Sequence, residues 1–310
     1  MPPGLPDGGD LTDWIDRGGT REEFDTLVEN TPLFDSGHLG EEFGRNELLP
    51  VKSVSEILAE SGEGPDWKVG SLLARGNITD LSGEAKLSGK TTFTMHMIAS
   101  VVKGEEFMGF PTEKSKVLYL TEQGNNFAEA LQKVGLEGAD GDLFVIQHKD
   151  VRGVEWKELL SKAVEECDRR GIGVLVVDTF AAFSGIVGAE ENNSGDIRDK
   201  MAPLKEAAQE HELAVLYLRH AGKSGRARGS SQFEAEGDII LTLKRPEGNH
   251  AENVRVLEGI GRYDEIPRKL NVELTEQGYV ALGSDGQVQF GKAVEVIKQH
   301  LPRTRESAMT

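Results

Sequence analysis

The chain has 310 residues, with 35 Lys and Arg against 53 Asp and Glu, a formal net charge of −18 and a pI near 4.9. That length holds one large domain or two small ones, and the acidic total excludes a broad basic face of the kind that coats DNA. A single cysteine, Cys167, rules out an intramolecular disulfide, and no apolar run is long enough for a membrane-spanning helix. With no signal peptide visible at the N-terminus, the expectation is a soluble, cytoplasmic protein with no membrane partner.

The acid is uneven. Residues 1–50 hold twelve Asp or Glu against three Arg. Residues 1–46 read as an acidic helical extension: a short amphipathic helix near Asp10–Arg17, then a second opened by Thr20 as N-cap with Glu23 three residues on. Two such helices bury too little surface to fold alone.

The segment Asn77–Leu81 reads as a short strand, although Asp80 makes it polar for a central one. Next comes Gly83-Glu84-Ala85-Lys86-Leu87-Ser88-Gly89-Lys90-Thr91-Thr92. A phosphate-binding loop has four residues between its first glycine and its Gly-Lys-Ser/Thr end; here there are five. Such a loop needs inward backbone N–H groups, a helix N-terminus, a Lys for the β/γ-phosphates and a hydroxyl for Mg²⁺. Gly89-Lys90-Thr91 supplies the second half, and an apolar stripe of Phe93, Met97, Ile98, Val101 and Val102 carries the helix behind it. The extra residue is expected as a bulge between Gly83 and Ser88. The competing reading is a solvent loop that caps an ordinary helix.

From residue 116 the pattern alternates. Strands are expected at 116–121, 143–147, 172–178 and 213–218, with helices at 126–134, 156–169 and 196–211. The run Ile172–Asp178 is apolar almost throughout, as suits a parallel strand buried on both faces. Alternation of this kind implies a parallel sheet with right-handed crossovers. Cys167 is expected as filler on the 156–169 helix. Beyond residue 236 come three strand-like runs, at 238–243, 254–258 and 270–274, without a helix between them, which reads as an antiparallel extension. Residues 291–300 read as one amphipathic helix.

Strand ends carry the remaining chemistry. Asp178 closes a buried strand where ligands bind in open α/β sheets, in place to join a Mg²⁺ shell; alternatively it caps the next turn. Glu122 follows the 116–121 strand, in place to orient and deprotonate an attacking water; alternatively it is an exposed loop acid. His220 opens the loop 221–228, whose Lys223, Arg226 and Arg228 give it a charge of +3. Mobile glycines and cations there suit phosphates of a nucleic acid, or make a solvated basic loop with no partner.

Together these segments, with Glu106–Thr112, Glu191–Gly195, Pro203–Ala208, Arg228–Ser231 and Gly261–Pro267, resemble the RecA-like ATPases. The likeness is to the AAA-type, RepA/DnaB-like branch of plasmid, phage and mobile-element replication, and it runs over about residues 50–283. It implies an α/β, RecA-like P-loop NTPase core over 47–285, with a mainly parallel central sheet and an antiparallel C-terminal extension. It implies ATP and Mg²⁺ as cofactors, Lys90 and Thr91 as the Walker A lysine and hydroxyl, Asp178 as the Walker B acid and Glu122 as the catalytic glutamate. His220 matches the histidine sensor position. Arg228 and Arg262 are both candidates for the arginine that completes a neighbour's site, which implies a homo-oligomer, a hexameric ring or filament. Residues 9–20 resemble the segment after a Toprim primase domain, and 286–310 the start of a truncated winged-helix domain, so a primase or other replication partner is implied as well. The expected activity is Mg²⁺-dependent ATP hydrolysis coupled to translocation on, or remodelling of, single-stranded DNA in replication or repair. The alternatives are an ATP-binding assembly module without motor activity, and a degenerate loop that binds no nucleotide.

Overall fold

The structure, a computed structural model, describes residues 51–288 apart from 61, 63, 125, 187–192, 222–229 and 249–250, together with 18, 20–22, 26 and 294. The chain divides into two compact units, Met1–Ser61 and Gly62–Thr310. Most of the expected N-terminal helices and the helix at 291–300 lie outside the described residues. In the first unit, helix α1 (Val54–Glu60) opens with a reciprocal cap: Ser53 N–H donates to Glu56 Oε2 at 2.7 Å and Glu56 N–H donates to Ser53 Oγ at 3.3 Å.

The second unit is built on a nine-stranded sheet. A hairpin of β1 (Trp67–Val69) and β2 (Leu73–Ala74) precedes it. In chain order the unit then runs β3 (Ile78–Glu84), α2 (Lys90–Lys103), β4 (Lys116–Thr121), α3 (Asn126–Lys133), β5 (Leu143–Gln147), α4 (Trp156–Arg170) and β6 (Ile172–Asp178). It continues through α5 (Phe180–Ser184), α6 (Ser194–Glu210), β7 (Ala214–Ala221), α7 (Ser230–Glu236), β8 (Ile239–Lys244), β9 (Val254–Gly261), β10 (Leu270–Thr275) and β11 (Gly278–Gly283). The order across the sheet is β11-β10-β9-β8-β3-β7-β6-β4-β5. All pairs from β8 to β5 are parallel; β8-β9, β9-β10 and β10-β11 are antiparallel.

Period-two alternation splits the strands between two cores. Leu81, Val117, Tyr119, Val174, Val176, Leu216, Leu241 and Leu257 face one side, where Phe93, Met97, Ile98 and Val101 of α2 cover them. Ile78, Leu118, Leu120, Leu175, Val177, Val215 and Tyr217 face the other, covered by α4, α6 and Phe233 of α7. This is why the middle strands read as unbroken apolar runs. Helix α4 starts where the Glu155 side chain accepts N–H bonds from Lys157 and Glu158, and stops at Gly171 with φ 64°. Cys167 is buried on α4, and burial pushes its thiol up to about 12.

Two expectations change. β3 is a central strand despite Asp80, because Arg219 of β7 answers the buried carboxylate: its Nε and Nη2 both lie 2.6 Å from Asp80 Oδ2. Arg219 also lies over the Phe233 ring, 4.3 Å from its centroid. Second, the extra loop residue, expected as a bulge between Gly83 and Ser88, is taken up within that span by an exposed turn at 85–87, with Lys86 at φ 61°, after β3 has paired with β7 through Glu84. α1, β1, β2, α5, α7 and β11 went unforeseen: β1 and β2 have three and two residues, and α1, α5 and α7 have too few turns for a helical period to show.

Candidate nucleotide-binding and hydrolysis site

Parallel strands set their carboxyl ends along one edge of the sheet, and the sequence ends β3, β4, β6 and β7 with polar groups there. Register aligns them: Gly83 lies beside His220, and Thr121 beside Asp178. The loop after β3 is closed by Ser88, whose N–H and Oγ both donate to the Glu84 carbonyl, at 3.2 and 2.8 Å. Gly83 admits no side chain. A Cβ there would stand 2.6 Å from the Leu243 carbonyl and 2.7 Å from Ser88 Oγ. Gly89, at φ 80°, is the N-cap of α2, so no side chain caps that helix. Glu84, Ala85, Lys86 and Leu87 are exposed, as is Thr92, whereas Ser88 and Lys90 are buried.

Lys90 Nζ donates to the Gly83 carbonyl at 2.8 Å and lies 3.4 Å from both the Glu84 carbonyl and Ser88 Oγ, and 3.5 Å from His220 Nδ1. Burial lowers its pKa, against the pull of the Asp178 charge. Thr91 Oγ1 donates to Asp178 Oδ2 at 3.0 Å, and Tyr119 OH donates to the same oxygen at 2.9 Å. Burial raises the Asp178 pKa and the nearby Glu122 charge adds to it, while the two hydroxyl donors pull it down. Glu122 stands beside this group: its N–H donates to the Asp178 carbonyl at 2.8 Å, and Thr179 Oγ1 donates to its Oε1 at 3.1 Å.

Thr91 Oγ1 and an Asp178 oxygen, in contact at a strand end, are the hard oxygen donors Mg²⁺ takes, usually one or two protein groups with phosphates and waters completing the shell. The donor set therefore fits that ion. Among the described residues no group of three or more His, Cys, Asp or Glu side chains is gathered into a metal cage.

The structure thus brings together Gly83–Thr92, Glu122, Asp178 and His220. Arg262 is elsewhere. It follows β9, at the end of the sheet away from Gly83, where its Nη1 lies 3.2 Å from Asp238 Oδ1. Lys223, Arg226 and Arg228 lie outside the described residues. The sequence reading missed four neighbours. Tyr119 and Thr179 orient the two acids. Arg255 Nε donates to the Ser88 carbonyl at 2.9 Å, and Arg245 Nε to the Leu87 carbonyl at 3.3 Å. Tyr119 carried a weak signal, a hydroxyl in an otherwise apolar strand. The two arginines carried none, being some 160 residues away in sequence.

No helix among the described residues is long and apolar enough to cross a membrane. Comparison with curated proteins finds no relative. Among solved structures, a KaiC-like protein from the hyperthermophilic archaeon Pyrococcus horikoshii OT3 superposes with a TM-score of 0.52 at 16% identity, over 70% of this chain and 99% of that one. The RadB recombinase superposes with a TM-score of 0.49 at 19% identity, over 67% and 91%. The fold is the expected α/β, RecA-like one, its large mixed sheet mostly parallel with antiparallel C-terminal strands. A family model described as an AAA domain matches residues 45–226. By that match the chain belongs to the AAA domain family.

Proposed function

We propose that this chain is a Mg²⁺-dependent ATPase whose hydrolysis drives remodelling of, or movement along, single-stranded DNA. The observation that carries the reading is the Thr91–Asp178 hydrogen bond at 3.0 Å, set beside a buried Lys90 at the mouth of a closed loop. Lys90 exchanges its loop carbonyls for β/γ-phosphate oxygens, a stronger partnership because both partners are then charged. Thr91 and Asp178 would hold Mg²⁺, which would supply charge neutralisation at the phosphates. Glu122, held by Thr179, accepts a proton from the water that attacks the γ-phosphorus as the bond to the ADP oxygen breaks. His220, 3.5 Å from Lys90, is positioned to report the γ-phosphate to the loop 221–228. Lys223, Arg226 and Arg228 of that loop would meet DNA phosphates.

An arginine from a neighbour completes the site, Arg262 or Arg228. Arg262 supports the assignment by lying at the end of its own sheet away from its own loop, as a head-to-tail assembly requires.

The test is ATP hydrolysis with and without single-stranded DNA, on wild type and Glu122→Gln. Wild type should hydrolyse slowly and be stimulated by DNA. The variant should keep ATP affinity and lose turnover by roughly 10²–10⁴-fold. Wild-type turnover in Glu122→Gln would remove Glu122 as the base. Hydrolysis indifferent to DNA, with no salt-dependent DNA binding, would favour the assembly module.

A further inference from the structure

The nucleotide loop is one residue longer than the standard spacing, and two guanidinium groups rest on its carbonyls. Both come from the β8–β9 hairpin, Arg245 just after β8 and Arg255 on β9. Half-buried Arg255 spends its donors on backbone. Nε gives one bond to the Ser88 carbonyl at 2.9 Å, and Nη1 gives two more, to the Val254 carbonyl at 2.7 Å and the Glu252 carbonyl at 2.5 Å. The last two tie the guanidinium to its own hairpin, so its aim at Ser88 is fixed rather than adaptable. Arg245 repeats the contact one peptide earlier, at Leu87.

A trans peptide is planar, with its C=O and N–H pointing opposite ways. A donor that pins the Ser88 carbonyl therefore also aims the Gly89 N–H, away from the guanidinium. Gly89 has φ 80° and no side chain to stiffen it; its own carbonyl accepts from Phe93 N–H at 2.9 Å, and the peptide before it is held at its carbonyl by Arg255 Nε. The same side lines it without crowding it: a Cβ at Gly89 would lie in ordinary contact, 3.6 Å from Tyr279 OH and 3.9 Å from Arg255 Nε. The Ser88 N–H is already committed to the Glu84 carbonyl. The exposed turn at 85–87 is thus closed within the loop by Ser88 and braced from outside by the arginines.

We infer that Arg255, seconded by Arg245, is a positioning residue for nucleotide binding: from the outer side of the lengthened loop it fixes the Ser88–Gly89 peptide so that the Gly89 N–H faces the β-phosphate. The inference rests on the ATPase reading above and deepens it. Arg255 touches loop carbonyls rather than phosphate, so its effect falls on affinity for the diphosphate portion that ADP and ATP share.

The experiment measures binding of fluorescent ADP and ATP analogues, and ATP turnover, for wild type, Arg255→Met, Arg255→Lys, Arg245→Ala and Lys90→Ala. Arg255→Met should weaken ADP and ATP alike by about tenfold, the scale of one charge-assisted hydrogen bond. Its kcat at saturating ATP should fall less than threefold. Arg255→Lys, which keeps a cationic donor group, should recover part of the affinity, and Arg245→Ala should lose about threefold. Affinity within twofold of wild type in Arg255→Met overturns the inference, as does a loss confined to ATP or to kcat. If Arg255→Met does not fold, wild-type affinity in both Arg255→Lys and Arg245→Ala overturns it. A wild type that binds no nucleotide sinks the ATPase reading and this inference together. A wild type that binds, a Lys90→Ala that does not, and an Arg255→Met equal to wild type sink this inference alone.

Discussion

The two halves of the sheet do different jobs. From β8 to β5 every neighbour is parallel, so every carboxyl end falls on one edge, and residues as far apart in sequence as Gly83, Glu122, Asp178 and His220 meet there. From β8 to β11 the strands alternate, so successive ends fall on opposite edges and no such gathering occurs. That half contributes contacts from behind, Arg245 and Arg255 on the loop carbonyls, and carries Arg262 away to the opposite end. Parallel topology assembles a site by itself; an antiparallel extension supports it through individual long side chains.

The comparison is broken most directly inside the parallel half, at its one buried ion pair among the described residues, Asp80 with Arg219. Arg219→Met leaves the Asp80 carboxylate buried without its cation, which costs about 3–5 kcal/mol. Burial already raises the Asp80 pKa with Arg219 in place. Chemical denaturation should show a midpoint far below wild type. A shift under about 1 kcal/mol would mean that the two central strands do not depend on the pair.

A smaller effect of opposite sign is expected at the site. Asp178 has its pKa raised by burial, so its ionised form opposes folding. An acid with a raised folded-state pKa contributes stability at pH below its unfolded value and loses it as pH rises through the folded value. Asp178→Asn keeps an acceptor for Thr91 and Tyr119 and removes the charge. It should gain about 1 kcal/mol at neutral pH, roughly 2–4 °C in Tm, while hydrolysis is lost. The gain should shrink as pH falls and Asp178 protonates. Equal or lower stability than wild type at pH 7 would show that the site stores no such strain.

The smallest effect belongs to the antiparallel half. Lys244 and Glu258 pair at 2.5 Å across β8 and β9, each about 40% exposed. Such a pair is worth about 0–1 kcal/mol, so Lys244→Ala should barely move the melting curve and leave kcat for ATP as it was. A large loss of turnover there would bring the antiparallel half into the chemistry and end the division drawn above.

Much of this was legible in the sequence, for identifiable reasons. β4 and β6 match the strands expected at 116–121 and 172–178, because strands buried on both faces leave continuous apolar runs; β5, at the half-buried edge of the sheet, matches the strand expected at 143–147. Glu122 and Asp178 were placed at strand ends, and the structure sets them side by side, joined through the Asp178 carbonyl and Thr179. What stayed illegible is long-range. Nothing near Asp80 announces Arg219, 139 residues on. Nothing near Ser88 announces Arg255, 167 residues on. The carbonyl of Leu243, which leaves no room for a side chain at Gly83, is likewise distant in sequence.

The path of β3 through Glu84 has a consequence for engineering. Gly83 pairs with both neighbours and Glu84 with β7, so the ladder is complete before the exposed turn at 85–87 begins. Residues added or removed in that turn leave every side chain of β3 on its own face, whereas a one-residue change inside β3 would send each of them to the opposite core. Ala85–Leu87 is therefore the splice point at which loop length can be varied by design, to graft a reporter beside Lys90 or to trim the loop to the four-residue spacing, without re-registering the sheet.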